Sequence, residues 1–264
     1  MASDQKRRAE AFRSLHEGDP FVIPNPWDAG SAKVLQALGF PALATTSSGF
    51  AFTLARRDGA TSLEEVVEHV RVVVGASDLP VSVDLENGYG AEPDAAARAI
   101  ELVAGAGAVG GSIEDWDPDT GLYPLEESVA RVSAACEAAR SLEFPFMVTA
   151  RAENHIRGNP DLDDTIARLQ AYERAGADVL YAPGLRGPEE IRAVCAATSR
   201  PVNALAYRGI TFDEMAGAGA QRVSVGGALT WTAVEAMAQA AERIRDSGDF
   251  SGLGSASRIR DWLA

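Results

Sequence analysis

The strongest constraint on this chain is a rhythm. Short apolar, β-branched runs alternate with longer stretches of helical periodicity, the pattern of strand–helix units around a parallel sheet. Eight runs read as strands: Phe21–Asn25, Pro41–Ser47, Pro80–Leu85, Val109–Glu114, Pro145–Ala150, Asp178–Ala182, Pro201–Ala204 and Gln221–Val225. Their starts recur about every 29 residues, room for a strand and a crossover helix. A phrase also recurs before the strands, as ALGFPALATT, AGAGAVGGSI, RAGADVLYA and GAGAQRVSV. It describes a helix that ends on a left-handed glycine and passes directly into a buried strand. Helix starts are marked too. Thr61 with Glu64 and Thr211 with Glu214 fit a capping box, and Pro93, Pro124 and Pro188 fit first-turn positions.

No Ser/Gly-rich linker or shift of composition divides the chain. Eight even units without a break predict one closed (β/α)8 TIM-type barrel over residues 1–264, in preference to an open doubly wound sheet. A helix over 227–246 follows the eighth strand, and a helical tail occupies about 247–264. Trp262 and Leu263 in that tail are more apolar surface than a closed monomer needs, and a partner subunit is the place for them.

Composition removes several function classes. With 24 Lys+Arg against 38 Asp+Glu, the net charge of −14 argues against nucleic acid and anionic membranes as partners. No apolar run approaches the roughly 18 residues that span a bilayer. The start, MASDQKRRAEAF, lacks the apolar stretch of a signal peptide, so a cytoplasmic protein is expected. Cys136 and Cys195 lie far apart in helical patterns and imply no disulfide framework or zinc ribbon. Lys6 sits in a polar leader and Lys33 within a helical stretch, and these are the only lysines. Neither position suits a Schiff base, and no phosphate-binding GxxxxGK[ST] loop occurs.

In such a barrel the reacting groups stand at the C-terminal ends of the strands. Strand three ends in SVDLENGYG with Asp84 and Glu86, strand four in SIED with Glu114 and Asp115, strand five in TARAEN with Arg151 and Glu153. The loop after strand two carries a small polar turn, Thr46–Gly49, and then Asp58. Carboxylates from adjacent strands, with no His or Cys among them, form an all-oxygen set that suits Mg²⁺ or Mn²⁺ rather than zinc. Asp115 alone reads better as a helix-cap or loop residue. Arg151 is expensive to bury without a partner, and a bidentate clamp on a substrate carboxylate is preferred to an ion pair with Glu153 or Glu114. His16 and His69 read as structural, and His155 as a solvated loop residue. Gly226–Gly227 fits either phosphate binding or close helix–strand packing.

Together, PNPWDAGSA, the TSSG turn, ARRDG, VDLENGYG, SIED and TARAEN resemble the isocitrate lyase/phosphoenolpyruvate mutase superfamily, in order and spacing, from about Phe21 to Trp231. The resemblance implies a (β/α)8 barrel whose last helix is exchanged between subunits of a homodimer or homotetramer. It implies Mg²⁺ held by Asp84 directly, with Glu86 and Glu114 acting through water. It further implies that Ser48 and Gly49 donate hydrogen bonds to an α-keto acid, that Arg151 clamps its carboxylate, and that Asp58 is an acid near the substrate. Trp27, Asp28, Ser47 and Asn203 join the substrate-binding candidates, and Asp58, Arg151 and Glu153 the catalytic ones. The small-molecule substrate is then a carboxylate, and the chemistry passes through a pyruvate-like enolate.

One segment departs from that pattern. Isocitrate and methylisocitrate lyases carry a Lys-x-Cys-Gly-His lid after strand four, where this chain has WDPDTGLYP, from Trp116 to Pro124. The mutase lid is missing as well, and Pro183 stands where the mutases have a His. The expectation is a Mg²⁺-dependent lyase that breaks a C–C bond in a small 2-keto or 2-hydroxy dicarboxylate, like an oxaloacetate decarboxylase or a malate-derivative lyase. Two alternatives stay open, phosphonopyruvate or phosphoenolpyruvate chemistry and a barrel that binds keto acids without turnover.

Overall fold

The computed structural model describes residues 2–263, which form a nearly closed barrel of parallel strands wrapped by helices. The chain runs α1 (Ala2–Leu15), β1 (Phe21–Ile23), α2 (Ala29–Ala37), β2 (Leu43–Ala44), α3 (Ser47–Thr53), α4 (Leu63–Ala76), β3 (Val81–Asp84), α5 (Pro93–Gly105) and β4 (Gly110–Glu114). It continues through β5 (Trp116–Asp117), β6 (Gly121–Leu122), α6 (Leu125–Arg140), β7 (Met147–Arg151), α7 (Leu162–Ala175), β8 (Val179–Tyr181) and α8 (Gly187–Ala197). β9 (Val202–Leu205), α9 (Phe212–Gly217), β10 (Arg222–Ser224), α10 (Ala228–Ser247) and α11 (Ser257–Leu263) complete it.

The eight-stranded sheet has the order β1-β10-β9-β8-β7-β4-β3-β2, and β5 and β6 form a separate antiparallel hairpin. The expected (β/α)8 architecture is therefore present. Where β1 and β2 meet, closure rests on a backbone bond from Ala44 N to Pro24 O (3.1 Å) and on Asn25, whose amide donates to Thr45 O (3.0 Å) and accepts from Val225 N (3.0 Å). One side chain thus stitches strands one, two and eight.

Several local expectations shift. The second strand is two residues long, because Thr46 leaves the sheet as the N-cap of α3 and the polar turn is a helix. The first capping box uses Ser62 and Glu65, one residue later than expected, whereas Thr211 with Glu214 caps α9 as read. Pro124 is the N-cap of α6 and not its first helical residue, while Pro93 and Pro188 do occupy first-turn positions. Gly227 lies against α10. A Cβ there would come within 2.6 Å of Ser48 Oγ and 2.7 Å of Trp231 Nε1, so close packing explains the glycine.

The leader is a helix that closes the barrel floor. Ala9 and Phe12 of α1 are buried with Phe21, Ile23, Val109, Met147 and Val179. Phe12 presses on Gly110, where an added Cβ would stand 2.8 Å from its ring. One turn on, His16 is buried, with Nδ1 2.8 Å from Phe12 O and Nε2 3.2 Å from Arg222 Nη1. A guanidinium only donates, so Nε2 accepts and the ring is the neutral Nδ1–H tautomer. At the other end of the chain α10 buries only Thr230 of its twenty residues, leaving Trp231 and Met237 exposed. Among the described residues no helix is long and apolar enough to cross a membrane.

Burial and the neighbouring Arg222 push His16 down to about 3, far below an unfolded histidine near 6.5. The unfolded chain therefore takes up a proton that the folded one refuses, and stability from this group is lost as pH falls below about 6.5. Between pH 8 and pH 5 the stability advantage of wild type over His16→Gln is expected to shrink by about 2 kcal/mol. Urea unfolding of both proteins across that range measures it, and the comparison cancels the other titrating groups.

Candidate active site

The strand ends deliver their side chains by register. Asp84 closes β3, and Glu114 at the tip of β4 pairs laterally with Arg151 at the tip of β7. Arg151 is the centre of the cluster. Its Nη1 lies 3.3 Å from Glu114 Oε2 and 3.7 Å from Asp84 Oδ1, and its Nε donates to Glu153 Oε1. The guanidinium also faces the Tyr181 ring, 5.3 Å from the centroid. In this structure, then, the arginine expected as a substrate clamp makes the ion pairs that were the less favoured reading. The two roles share one atom set.

Asp84 Oδ2 accepts from Ser47 N (3.1 Å), and Thr45 Oγ1 receives the Asp84 amide (3.0 Å). Glu86 stands in the left-handed region at φ 48° and Tyr89 at φ 61°, and the Tyr89 hydroxyl donates to Glu86 Oε1 (3.0 Å). Two non-glycine residues with positive φ within four positions mark a strained loop, the kind held in place only by its surroundings. The holder is Arg131 of α6, 1% exposed. Its guanidinium donates to Asn87 O, to Gly90 O (2.6 Å) and to Ala91 O (2.5 Å), and lies over the Tyr123 ring at 4.6 Å. Asn87 in turn donates to Asp117 Oδ2 and Tyr123 Oη, both at 3.0 Å, which ties this loop to the β5–β6 hairpin.

Two cavities open at this end of the barrel. A mouth cavity of about 130 Å³ is lined by Ser47, Asp58, Glu86, Glu114, Trp116, Arg151 and Arg157 among others. A smaller one of about 60 Å³ lies among Asp84, Arg151, Tyr181, Asn203 and Arg222. The structure thus gathers Ser47, Asp58, Asp84, Glu86, Glu114 and Arg151. Of the other candidates, Asn203 lines the smaller cavity and Glu153 abuts Arg151, whereas Trp27, Asp28, Ser48 and Gly49 line neither cavity among the described residues. Asp28 caps α2 through Ser31 N (2.7 Å), and the Trp27 carbonyl is 3.0 Å from His69 Nε2. Ser48 Oγ lies 3.1 Å from Thr46 Oγ1, which also receives the Gly49 amide at 3.4 Å. Asn203 donates to Ser224 Oγ (2.9 Å) and accepts from Arg222 Nε (2.8 Å). Glu153 is 0% exposed, its carboxylate shared between Arg151 and Arg157. Asp115 is spent on packing, accepting from Glu153 N (2.7 Å), Arg168 Nη1 (3.0 Å) and Tyr172 Oη (2.5 Å). His155 lies 2.8 Å from Thr165 Oγ1 through Nδ1.

Sequence reading missed Arg157. It belongs to the loop after β7, and nothing in its spacing distinguishes it from a solvated arginine.

The electrostatics of the cluster are unbalanced. Asp58, Asp84, Glu86, Glu114 and Glu153 set five carboxyl groups against the two guanidinium groups of Arg151 and Arg157. Burial, then the charge of Asp84, pushes Glu86 up to about 7. Burial raises Glu114 well above the carboxylate range, Glu153 and Asp84 adding to burial and Arg151 opposing it. Asp58 is raised by burial against a hydrogen bond from Ser47. Among the described residues no three His, Cys, Asp or Glu side chains converge closely enough to cage a metal ion by themselves. An oxygen-only donor set short of positive charge, too open for a protein cage, suits a divalent ion that keeps much of its water, as Mg²⁺ does.

A parallel (β/α)8 barrel with acidic strand tips around a small mouth defines the class, a barrel enzyme. The chain belongs to the phosphoenolpyruvate phosphomutase family, whose model matches residues 12–245, and so to the isocitrate lyase/PEP mutase superfamily. It is similar to an oxaloacetate decarboxylase of Rhodopseudomonas palustris (strain BisB5), 30% identical over 271 residues covering 96% of this chain and 91% of the relative. It superimposes on the crystal structure of a candidate lyase/mutase from Burkholderia cenocepacia J2315 with a TM-score of 0.96 and 49% identity, covering 99% and 97% of the two chains. Against 2,3-dimethylmalate lyase, a superfamily member, the TM-score is 0.86 with 25% identity, covering 97% and 95%.

Arg131 gives the loop after β3 a measurable signature. Arg131→Met strips three carbonyls of their donor and is expected to cost about 2–4 kcal/mol. Hydrogen exchange should quicken over residues 86–92 while β7 and β8 stay protected. Denaturant unfolding and exchange mass spectrometry together check it.

Proposed function

We propose that this chain is a Mg²⁺-dependent carbon–carbon lyase of the cytoplasm, acting on a small 2-keto or 2-hydroxy dicarboxylate through an enolate. Oxaloacetate decarboxylation and malate-derivative cleavage are the reactions in view, and the barrel is one domain that assembles as a homodimer or homotetramer. The observation that carries this reading is the surplus of carboxyl groups over guanidinium groups around a mouth of about 130 Å³. The similarity to an oxaloacetate decarboxylase and to 2,3-dimethylmalate lyase supports the same substrate class.

In this reading Asp84, Glu86 and Glu114 hold the ion, Mg²⁺ or Mn²⁺. When bound, the divalent cation supplies an electron sink for the carbonyl next to the breaking bond. The chain's own residues do the rest. Arg151 exchanges part of its contact with Glu114 and Asp84 for the substrate's carboxylate, a bidentate contact its planar fork favours. Tyr181 beneath and Glu153 beside it keep the guanidinium in place during that exchange. Ser47 and Ser48 bring hydroxyl donors from the start of α3 toward the keto oxygen. For an oxaloacetate-type substrate, the bond to the terminal carboxylate breaks and its electron pair passes into the enolate. CO₂ leaves, and the methylene carbon takes a proton. Asp58 lines the mouth with its carboxyl raised by burial, and so carries a proton at higher pH than a free aspartate and returns it there. Cleavage of this kind needs no lid cysteine.

The test is an assay of oxaloacetate, 2,3-dimethylmalate and methylisocitrate with Mg²⁺, then with chelator, then with Mg²⁺ or Mn²⁺ restored. Oxaloacetate or dimethylmalate is expected to turn over, chelation to abolish it and either ion to rescue it. Asp84→Ala is expected to lower kcat/KM by roughly 100-fold or more. Turnover indifferent to both chelator and Asp84→Ala would defeat the proposal.

A further inference from the structure

Among the described residues, Arg157 is the one cation lining the mouth cavity whose position the reaction described above does not use. It sits on the loop after β7, 34% exposed, where Arg151 is 16% exposed. Three contacts fix it. Its Nε lies 3.0 Å from Glu153 Oε2, its Nη2 3.7 Å from Glu114 Oε1, and its guanidinium carbon 4.6 Å from the Trp116 ring centroid. Trp116 belongs to the β5–β6 hairpin, so the cation is clamped between two loops of the mouth and not free on a surface.

The clamp leaves the recognising edge open. A guanidinium has five N–H donors, and among the described residues only Nε–H of Arg157 makes a hydrogen bond. Of the terminal nitrogens, Nη2 has only the long 3.7 Å ion pair to Glu114 while the planar face rests on an indole. That is the arrangement that pre-orients an arginine for a planar anion. Apart from Arg151, every other charged group that lines the mouth cavity is acidic, namely Asp58, Glu86 and Glu114. A substrate with a single carboxylate is met by Arg151. A second carboxylate at the far end of a small substrate would face only these acids unless Arg157 received it.

We infer that Arg157, stacked on Trp116 and braced by Glu153, is the residue that recognises the second carboxylate of the substrate and selects dicarboxylates over monocarboxylates. The inference rests on the lyase reading and narrows it, assigning the two ends of the substrate to two arginines bridged by one buried glutamate. Replacement of the usual lid by a hairpin bearing Trp116 has a use here, since it supplies the surface on which the second arginine lies.

Calorimetric binding separates this inference from the reading beneath it. Two probes are titrated in the presence of Mg²⁺: oxalate, which fills only the keto-acid end, and 3,3-difluorooxaloacetate, which adds a carboxylate at the far end. In the wild type both bind. In Arg157→Met the affinity for difluorooxaloacetate is expected to fall roughly 30–100-fold while oxalate changes by less than about threefold. Arg157→Lys, which keeps the charge but loses the fork, should fall between, and unchanged thermal melting of both variants shows that the loop still folds. Equal losses for both probes, or none for either, overturn the assignment of Arg157 and leave the lyase reading standing. Failure of both probes to bind the wild type overturns the two together.

Discussion

Negative charge at the barrel mouth outruns the positive charge available to hold it. Carboxyl groups that share a half-buried site repel one another and resist ionisation, so such a cluster persists only if something offsets it. Three other buried arginines are committed to other partners, although Arg222 also lines the smaller cavity beside Asp84. Arg131 is spent on three carbonyl oxygens, Arg168 on Asp115 and Tyr123, and Arg222 on Asn203, Thr149 and His16. Arg222 has no carboxylate among those partners, and burial lowers its guanidinium to about 10. A chain that can bury arginine on neutral partners could have placed one more at the mouth. The shortage there is local, and it leaves room for a cation that comes from outside.

Strain and support are arranged around the same point. The loop after β3 carries Glu86 and Tyr89 at positive φ, a conformation worth about 1–3 kcal/mol each when a side chain must adopt it. What holds it is not the sheet but α6 through Arg131 and the hairpin through Asn87. Glu86 is thereby aimed by two elements outside its own loop, α6 and the hairpin. Below, α1 seals the barrel with Phe12 and His16, so the strands that carry Asp84, Glu114 and Arg151 rest on a packed floor. Rigid strand tips and one over-determined loop are what a constellation of like charges requires to stay in register.

Much of the fold was legible because its signals are local. Apolar runs recurring every strand–helix unit, left-handed glycines such as Gly107 and Gly176 before strands, and alternation at DLE and ARAE need no knowledge of distant contacts. What escaped depends on partners far away in sequence. The helical nature of Ser47–Thr53 was hidden by its small residues, although Thr46 is an ordinary N-cap. The leader looked polar, yet Ala9, Phe12 and His16 fall on one helical face, and that spacing could have revealed the floor. Asp28 is engaged in a helix cap, and Asn203 lines the smaller cavity while bridging to Ser224 of the next strand. Spacing gives the tip on which a side chain stands and not the neighbour it meets.

Arg151 shows why that limit matters for chemistry. From sequence, a clamp and an ion pair were competing roles. Its geometry is compatible with both, since contacts of 3.3 Å and 3.7 Å are long for hydrogen bonds and cheap to exchange, whereas the bond through Nε to a wholly buried Glu153 is not. A side chain anchored on one edge and loosely paired on the other can turn from stabilising an empty acidic mouth to binding an incoming anion without moving its backbone. The cost is the carboxylates it releases. On the proposed function they would become less tolerable as Arg151 leaves them, and the site would then bind a cation more strongly. Under the proposed function, anion and metal binding would reinforce each other through a single guanidinium, and the electrostatic shortage at the mouth would be the source of coupling between the two.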